Sequence, residues 1–165
     1  MSGINYLDIL TGMGSILSAA NITGAAYDLS KNMSTRVQLI TQVNPELIAG
    51  QASQYPMITY KIDGNSIDIS ETGHGSAANA KRKTEISIGI MGLVWNDNYS
   101  SSETDPADIE THYLMENIEQ VLRNDTTLGG KVLWSYPTRI DFYQFLEEES
   151  HFRVGLMEYK AVKFY

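Results

Sequence analysis

The sequence predicts an α+β fold: a four- to five-stranded, mostly antiparallel sheet with two main helices packed on one face. Apolar residues that recur every three to four positions predict the helices, at about residues 4–20 and 106–123. Runs in which apolar and polar residues alternate predict the strands. A chain of 165 residues has the usual length of one domain, so we expect residues 1–165 to form a single domain.

Both helices carry further sequence signals. In the first, Gly12 and Gly14 each lower the intrinsic helix stability by about 1 kcal/mol relative to Ala, so packing must stabilise this helix. The second has a clear start, because Asp105 can cap it, Pro106 suits its first position and Asp108 suits its first turn. The apolar stripe of the first helix consists of Tyr6, Ile9, Leu10, Met13, Ile16, Leu17 and Ala20.

Five runs are predicted as strands, at residues 35–43, 55–63, 83–95, 131–145 and 152–165. The clearest is 83–95, in which isoleucines alternate with polar or small residues. In the fourth run, alternation predicts one face that carries Val132, Trp134, Tyr136, Ile140 and Phe142. The fifth run alternates through Phe152, Val154, Leu156, Val162 and Phe164.

Composition excludes several classes of function. The formal net charge is -8, which argues against general nucleic-acid binding, since that activity needs a cationic surface. The absence of cysteine excludes disulfides, thiolate catalysis and cysteine-ligated metals. The first residues lack a basic region, and no apolar run is long enough to cross a bilayer, so we expect neither a signal peptide nor a membrane span.

The segment "ETGHGSAANAKRKTE" (71–85) combines glycines, small residues and three consecutive cations. A phosphate-binding loop would need Gly-Lys-Ser/Thr before a helix, but here Ala80 precedes Lys81, and a predicted strand follows. Two other interpretations of the segment are open. One is a solvated connector, and the other is a flexible arm used in assembly, at about residues 64–82. The candidate interface residues in and beside it are Gly73, Gly75, Lys81, Arg82 and Lys83.

The most specific enzymatic hypothesis is a nuclease, based on a set of three residues. Asp141 lies in one predicted strand, and Glu158 and Lys160 lie two positions apart in the next, hence on one face. Two carboxylates and a lysine can bind Mg²⁺ and activate water, as in the restriction-endonuclease-like superfamily. A cross-strand or intersubunit ion pair explains Glu158 and Lys160 equally well, so both are also interface candidates. The three histidines are scattered without ligand spacing.

Several sequence segments occur in a characteristic order. An N-terminal helix is followed by "YPMITY", by a segment that runs into "KTEISIGIMGLVW", by an acidic loop with "DPADIETHYLMENIEQVLRN", and by two closing strands that end at Phe164-Tyr165. In this order, and over nearly its whole length, the chain resembles the tail terminator (tail completion) proteins of long-tailed bacteriophages. The region 22–50 is longer than the family pattern.

The resemblance implies a structural virion protein. Such proteins form a hexameric ring that caps the tail tube, stops its growth and presents a surface to the neck proteins of the head. They are not enzymes and hold no cofactor or metal. The implied partners are further copies of the chain, the tail tube protein and a neck or connector protein, with genomic DNA only passing through the channel. The implied location is the head-proximal end of the tail, after assembly in the host cytoplasm.

The resemblance also gives the segment 64–82 a role, as an arm that is mobile in free subunits and ordered against a neighbouring ring or tube. The alternative within the virion is a head–tail connector, neck or tube-like protein. Tube proteins are β-rich with little helix, so the two predicted helices argue against a tube protein. The metal-dependent nuclease is the alternative from another class.

Overall fold

The computed structural model describes residues 4–42, 54–68, 82–96, 106–147 and 150–164. Two helices and five strands occur in this part of the chain, which confirms the predicted α+β class. Their bounds are α1 (Tyr6–Ala20), β1 (Leu39–Thr41), β2 (Met57–Asp68), β3 (Lys83–Asn96), α2 (Pro106–Asn124), β4 (Trp134–Glu147) and β5 (Ser150–Phe164).

The strands form one sheet in the order β1-β2-β3-β5-β4. Strand β1 is parallel to β2, and the pairs β2–β3, β3–β5 and β5–β4 are antiparallel, so the sheet is mostly antiparallel as predicted. Both helices pack on the same face: α1 lies over β1 and β2, and α2 lies over β3, β5 and β4. Among the described strands, β4 pairs with β5 alone and therefore forms a long sheet edge.

Helix α1 is stabilised by packing at its two glycines. A Cβ atom on Gly12 would lie 2.5 Å from the carbonyl oxygen of Leu128, and one on Gly14 would lie closer still to the hydroxyl oxygen of Tyr60. Both distances are too short for a real contact, so only glycine allows this close approach of the helix to its neighbours.

The N-terminus of α1 is capped by Asn5. The side-chain oxygen of Asn5 accepts a hydrogen bond from the backbone N–H of Asp8 at 3.1 Å. This bond satisfies one of the amide groups that have no partner within the helix. The chain therefore enters the helix at a defined residue, with the backbone of Asn5 still extended.

Helix α2 sits in a hollow in the middle of the sheet. Gly92 of β3 and Gly155 of β5 lie directly opposite each other, and both lack a side chain on the face below the helix. Met115, which is 1% exposed, fills the space: a Cβ on Gly92 would lie 2.8 Å from its sulfur, and one on Gly155 would lie 2.6 Å away. The flexible methionine side chain is well suited to such an irregular gap.

The opposite face of the sheet carries neither of the two described helices, and we call it the helix-free face; it is also apolar at one end. Met57, Leu93 and Val154, from β2, β3 and β5, are buried there with Tyr55. The ring of Tyr55 meets that of Phe152 edge-on, with the centroids 5.5 Å apart. Strand β5 therefore has buried apolar side chains on both faces, and the alternation seen in its sequence (Phe152 to Phe164) belongs to the helix-free face.

Two strand predictions need correction. The run 35–43 forms a strand only over Leu39–Thr41, within the residues described up to 42. In β4, the pairing with β5 shifts between Pro137 and Arg139, so one extra residue interrupts the alternation. The residues predicted to share one face are thus divided. Trp134 and Tyr136 lie on the helix-free face, whereas Ile140 and Phe142 lie under the helices.

The segment between α1 and β1 is held by a polar network. The guanidinium of Arg36 forms two hydrogen bonds to the carboxylate of Asp28, at 2.8 and 3.0 Å. The side chain of Asn21 donates to the carbonyl of Val37 at 2.9 Å. From α2, the buried amide of Asn117 donates to the carbonyls of Leu29 and Lys31. These bonds satisfy backbone groups that lie outside regular structure and tie the segment to both helices.

Part of the expected arm at 64–82 is described. Residues 64–68 belong to β2, and residues 69–81 lie outside the described residues.

Neither of the two described helices combines the length and the apolar character that a bilayer crossing requires.

The hollow below α2 makes Gly155 intolerant of a side chain. We expect Gly155→Ala to lower the free energy of unfolding by about 1–3 kcal/mol, because the new methyl group must displace Met115 from a packed core. Urea denaturation measures this change. Gly64→Ala in β2 is the matched control, because nothing lies within 4 Å of the position that its methyl group would take. Equal destabilisation by both substitutions would contradict the packing argument.

The Asp28–Arg36 ion pair makes the free energy of unfolding depend on pH. The hydrogen bond from Arg36 lowers the pKa of Asp28 below its ordinary value of 3.8. Because the pKa is lower in the folded chain, the stabilisation is fully present above pH 3.8 and is lost as the pH falls through the folded-state pKa. We expect Asp28→Asn to cost about 1 kcal/mol at neutral pH and to cost progressively less in acid.

Thermal denaturation across this pH range measures the effect. Glu116→Gln is a suitable control, because the described partner of Glu116 is the side-chain amide of Gln120 and not a cation. A cost of Asp28→Asn that stayed constant from neutral pH into acid would be inconsistent with the ion pair as its source.

Candidate functional site

The cationic segment is only partly described. Gly73, Gly75 and Lys81 lie outside the described residues. Arg82 is exposed immediately before β3, and Lys83 is the half-buried first residue of that strand, opposite Phe164 of β5. An assembly role for these residues therefore stays a prediction, and the described side chains provide the candidate site.

Glu158 and Lys160 lie on the helix-free face of β5, as their spacing predicts. The ammonium group of Lys160 forms an ion pair with the carboxylate of Glu85, which reaches across from β3. This bond raises the pKa of Lys160 above its ordinary value, so the lysine is held in its charged form. Lys160 therefore lies in a cross-strand ion pair, the simpler of the two hypotheses for this residue.

Asp141 lies on the same face, where β4 carries a second ion pair. Its Oδ2 atom accepts a hydrogen bond from Nε of Arg139 at 2.6 Å. The carboxylate of Asp141, and more weakly that of Glu158, raises the pKa of Arg139. A third pair, Lys61–Asp63 at 3.2 Å, lies on β2. We call these three pairs the ion-pair band; it consists of Lys61, Asp63, Glu85, Lys160, Arg139 and Asp141.

The fold thus brings the nuclease candidates to one face, but two of them are engaged in ion pairs there. Asp141 is bonded to Arg139, and Lys160 is bonded to Glu85. A metal site would need at least two carboxylates that face the same point without a competing cation. Within the described ranges, no three histidine, aspartate or glutamate side chains are grouped so that they could hold a metal ion.

Within residues 134–144, the outer strand β4 exposes four aromatic side chains. Trp134, Tyr136, Phe142 and Tyr143 are between 41% and 47% exposed. Phe142 stacks on the imidazole of His112 in α2, with 4.2 Å between ring centroids. We call the exposed side chains described between residues 134 and 144 the β4 edge; they are Trp134, Tyr136, Thr138, Arg139, Phe142, Tyr143 and Gln144. The sequence did not predict this edge. Its alternation predicted one apolar face for the strand, whereas the bulge places apolar side chains on both faces.

A second unusual surface surrounds α1. Between Asn5 and Tyr27, every exposed side chain is uncharged. The one charged residue of that stretch, Asp8, is half-buried and pairs with Lys131 at 3.0 Å. Leu7 and Ile22 are 66% and 60% exposed, more than any other large apolar side chain described. We call this the N-terminal surface; its main members are Leu7, Thr11, Ser15, Ser18, Ile22 and Tyr27.

Sequence reasoning missed the N-terminal surface, although the signal is present. The first 27 residues contain one charged residue, in a protein in which 19% of all residues are charged. Exposed residues of a monomeric surface usually include many charges, so a long uncharged stretch that is not buried indicates a contact surface.

A cleft of about 320 Å³ lies beside the start of α2. Among the described residues that line it, one carries a carboxylate: Glu110, which accepts a hydrogen bond from the backbone N–H of Ser34 at 2.8 Å. The segment 97–105, outside the described residues, joins this region to β3. The cleft offers no described pair of acid and base. Its lining consists of Ser34, Thr35, Tyr55, Pro56, Val94, Trp95, Pro106, Ala107 and Glu110.

Compared with models of known protein families and with curated proteins, the sequence matches none of them. The site must therefore be interpreted from its own chemistry. The described residues offer balanced ion pairs, an aromatic sheet edge and an uncharged helix surface, which are features of contact surfaces.

The ion-pair band predicts the outcome of a nuclease assay. We expect plasmid DNA to stay intact when it is incubated with the pure protein and Mg²⁺ or Mn²⁺, because Arg139 and Lys160 compete with a metal for the carboxylates. Gel electrophoresis reports supercoiled, nicked and linear DNA. Cleavage that is abolished in both Glu158→Ala and Lys160→Ala would instead support the nuclease hypothesis.

Proposed function

We propose that the protein is a structural subunit of a bacteriophage tail, a tail terminator that forms a ring on the tail tube, ends tail elongation and joins the tail to the head. The order of elements supports this proposal: a helix, a β2–β3 hairpin, a second helix and a closing β4–β5 hairpin. The same order carries the sequence resemblance. A protein with this proposed function is not an enzyme and uses no cofactor.

The observation that carries the proposal is the presence of two unlike surfaces at opposite ends of the sheet. Helix α1, with the N-terminal surface, covers β1 and β2, whereas the β4 edge lies beyond β5 on the other side. A closed ring of identical subunits requires such a heterologous pair, in which one surface of each copy meets a different surface of the next. A single self-complementary patch would instead favour a two-fold dimer.

The charge of the chain is consistent with a channel protein. A net charge of -8 gives the assembled ring a strongly negative character. DNA that passes through such a channel is repelled by the wall and does not adhere to it. The balanced ion-pair band also leaves no free cationic cluster on the helix-free face of the described sheet.

A head–tail connector or neck protein is the closest alternative, and it too assembles as a ring. The two functions differ in what the ring binds. A terminator binds the end of the tail tube and stops its growth, whereas a neck protein binds the head-side assembly.

Assembly state tests the proposal. Native mass spectrometry and sedimentation should find six-copy rings of the 18.4 kDa chain, either free in solution or formed from monomers on the end of a finished tube. In the presence of cognate tube protein, the rings should cap tubes and shorten them, because a capped end adds no further subunits. Electron microscopy measures tube length. A stable dimer as the largest species, with tubes of unchanged length, would refute the proposal. Rings that bind connectors and leave the tubes unchanged would favour the neck protein.

A further inference from the structure

We infer that the ring contact joins the β4 edge of one copy to the N-terminal surface of the next. The inference rests on the proposed function for closure of the ring, and it adds the identity and chemistry of the two surfaces. The occupant of each surface is thus a second copy of this chain.

The β4 edge supplies apolar area on both sides of the strand. Trp134, Tyr136 and Tyr143 project on the helix-free face, and Phe142 projects on the other. With about 150–250 Å² per aromatic side chain, their exposed fractions leave roughly 250–430 Å² open to solvent. One partner in a stable interface contributes about 800 Å², so these four residues provide a third to a half of that area.

A strand edge also carries unpaired backbone N–H and C=O groups, which must be satisfied when the edge is covered. The N-terminal surface has suitable partners. Thr11, Ser15 and Ser18 present hydroxyl groups, which both donate and accept, about once per helical turn. A helical turn rises about 5.4 Å, and outward-facing groups along a strand repeat at about 6.8 Å, so the two rows have similar spacing. Leu7 and Ile22 add apolar contact at the two ends.

Charge selects this pair of surfaces over others. Two copies that each carry a net charge of -8 repel each other, so contact is least costly where neither surface has an unbalanced charge. The N-terminal surface is uncharged, and the one charged member of the β4 edge, Arg139, is bonded to Asp141. Helix α2, in contrast, carries four carboxylates and one arginine, which disfavours it as the facing surface of another acidic copy.

The described sheet topology argues against the obvious alternative, a continuous sheet across subunits. Strand β4 has 14 residues, whereas β1, the opposite edge, has three. The described part of β1 could pair with only about three residues of β4 and would leave most of its edge open. Pairing between two β4 strands would be isologous and would give a two-fold dimer, which does not propagate around a ring.

Single-cysteine variants test the contact directly, because the chain has no cysteine of its own. Ser15→Cys lies on the N-terminal surface, Gln144→Cys lies on the β4 edge, and Glu116→Cys on the exposed side of α2 is the control. Bis-maleimide linkers of two lengths span a range of thiol separations. A mixture of Ser15→Cys and Gln144→Cys should cross-link into dimers, whereas each variant alone should not. The double variant should give a ladder that ends at six copies.

Two results would overturn the inference. One is a Gln144→Cys variant that cross-links with itself as well as the mixture does, since this indicates edge-to-edge pairing. The other is a mixture that cross-links no better than mixtures that contain the Glu116→Cys control. Wild-type rings observed together with either result would leave the proposed function standing and reject only this contact. Wild type that forms no ring and caps no tube would reject the proposed function itself.

A charge substitution gives an independent measurement. Ser15→Glu places a carboxylate in the contact and should weaken ring assembly roughly tenfold or more, because a buried unpaired charge is costly. Asn124→Glu, at the exposed end of α2, is the matched control and should assemble as wild type does. Ser15→Glu should keep the melting temperature of the wild type, whereas the control can melt slightly lower, because a carboxylate at the end of α2 opposes the helix dipole. Normal assembly of Ser15→Glu would contradict the inference.

Discussion

The contact of Met115 with the paired glycines Gly92 and Gly155 determines the arrangement of the other elements. Because neither glycine has a side chain, α2 approaches the centre of the sheet closely, and α1 packs beside it over β1 and β2. The two helices then cover one face and leave the β4 edge uncovered at the far side. The asymmetry from which we infer ring formation is therefore a result of core packing, and not of features added to the surface.

Local periodicity predicted the helices and the central strand well, because their patterns depend on residues near each other in sequence. Helix α2 begins at Pro106 and β3 begins at Lys83, close to the expected positions. The faces of β4 were wrong for a physical reason. The bulge between Pro137 and Arg139 reverses the alternation, and its position depends on pairing with β5, whose register a local pattern does not contain.

The candidate site shows the same division between local and distant information. The spacing of Glu158 and Lys160 placed both on one face, and that prediction is confirmed. Their surroundings could not be predicted, since Glu85 and Arg139 arrive from two other strands. The N-terminal surface was predictable in principle from the scarcity of charge before Tyr27. However, an apolar helix with few charges is also the pattern of a buried helix, and only the structure shows that one side of α1 faces solvent.

The position of β5 within the sheet has a consequence for synthesis on the ribosome. Strand β5 is the last of the described strands in sequence but lies inside the sheet, between β3 and β4. Until residues 150–164 leave the exit tunnel, β3 lacks one neighbour and half of the glycine hollow is missing. The nascent chain therefore holds an apolar strand with an open edge while most of the domain already exists. The contacts that complete the fold also join distant parts of the chain, which slows folding and extends the period in which a chaperone can bind.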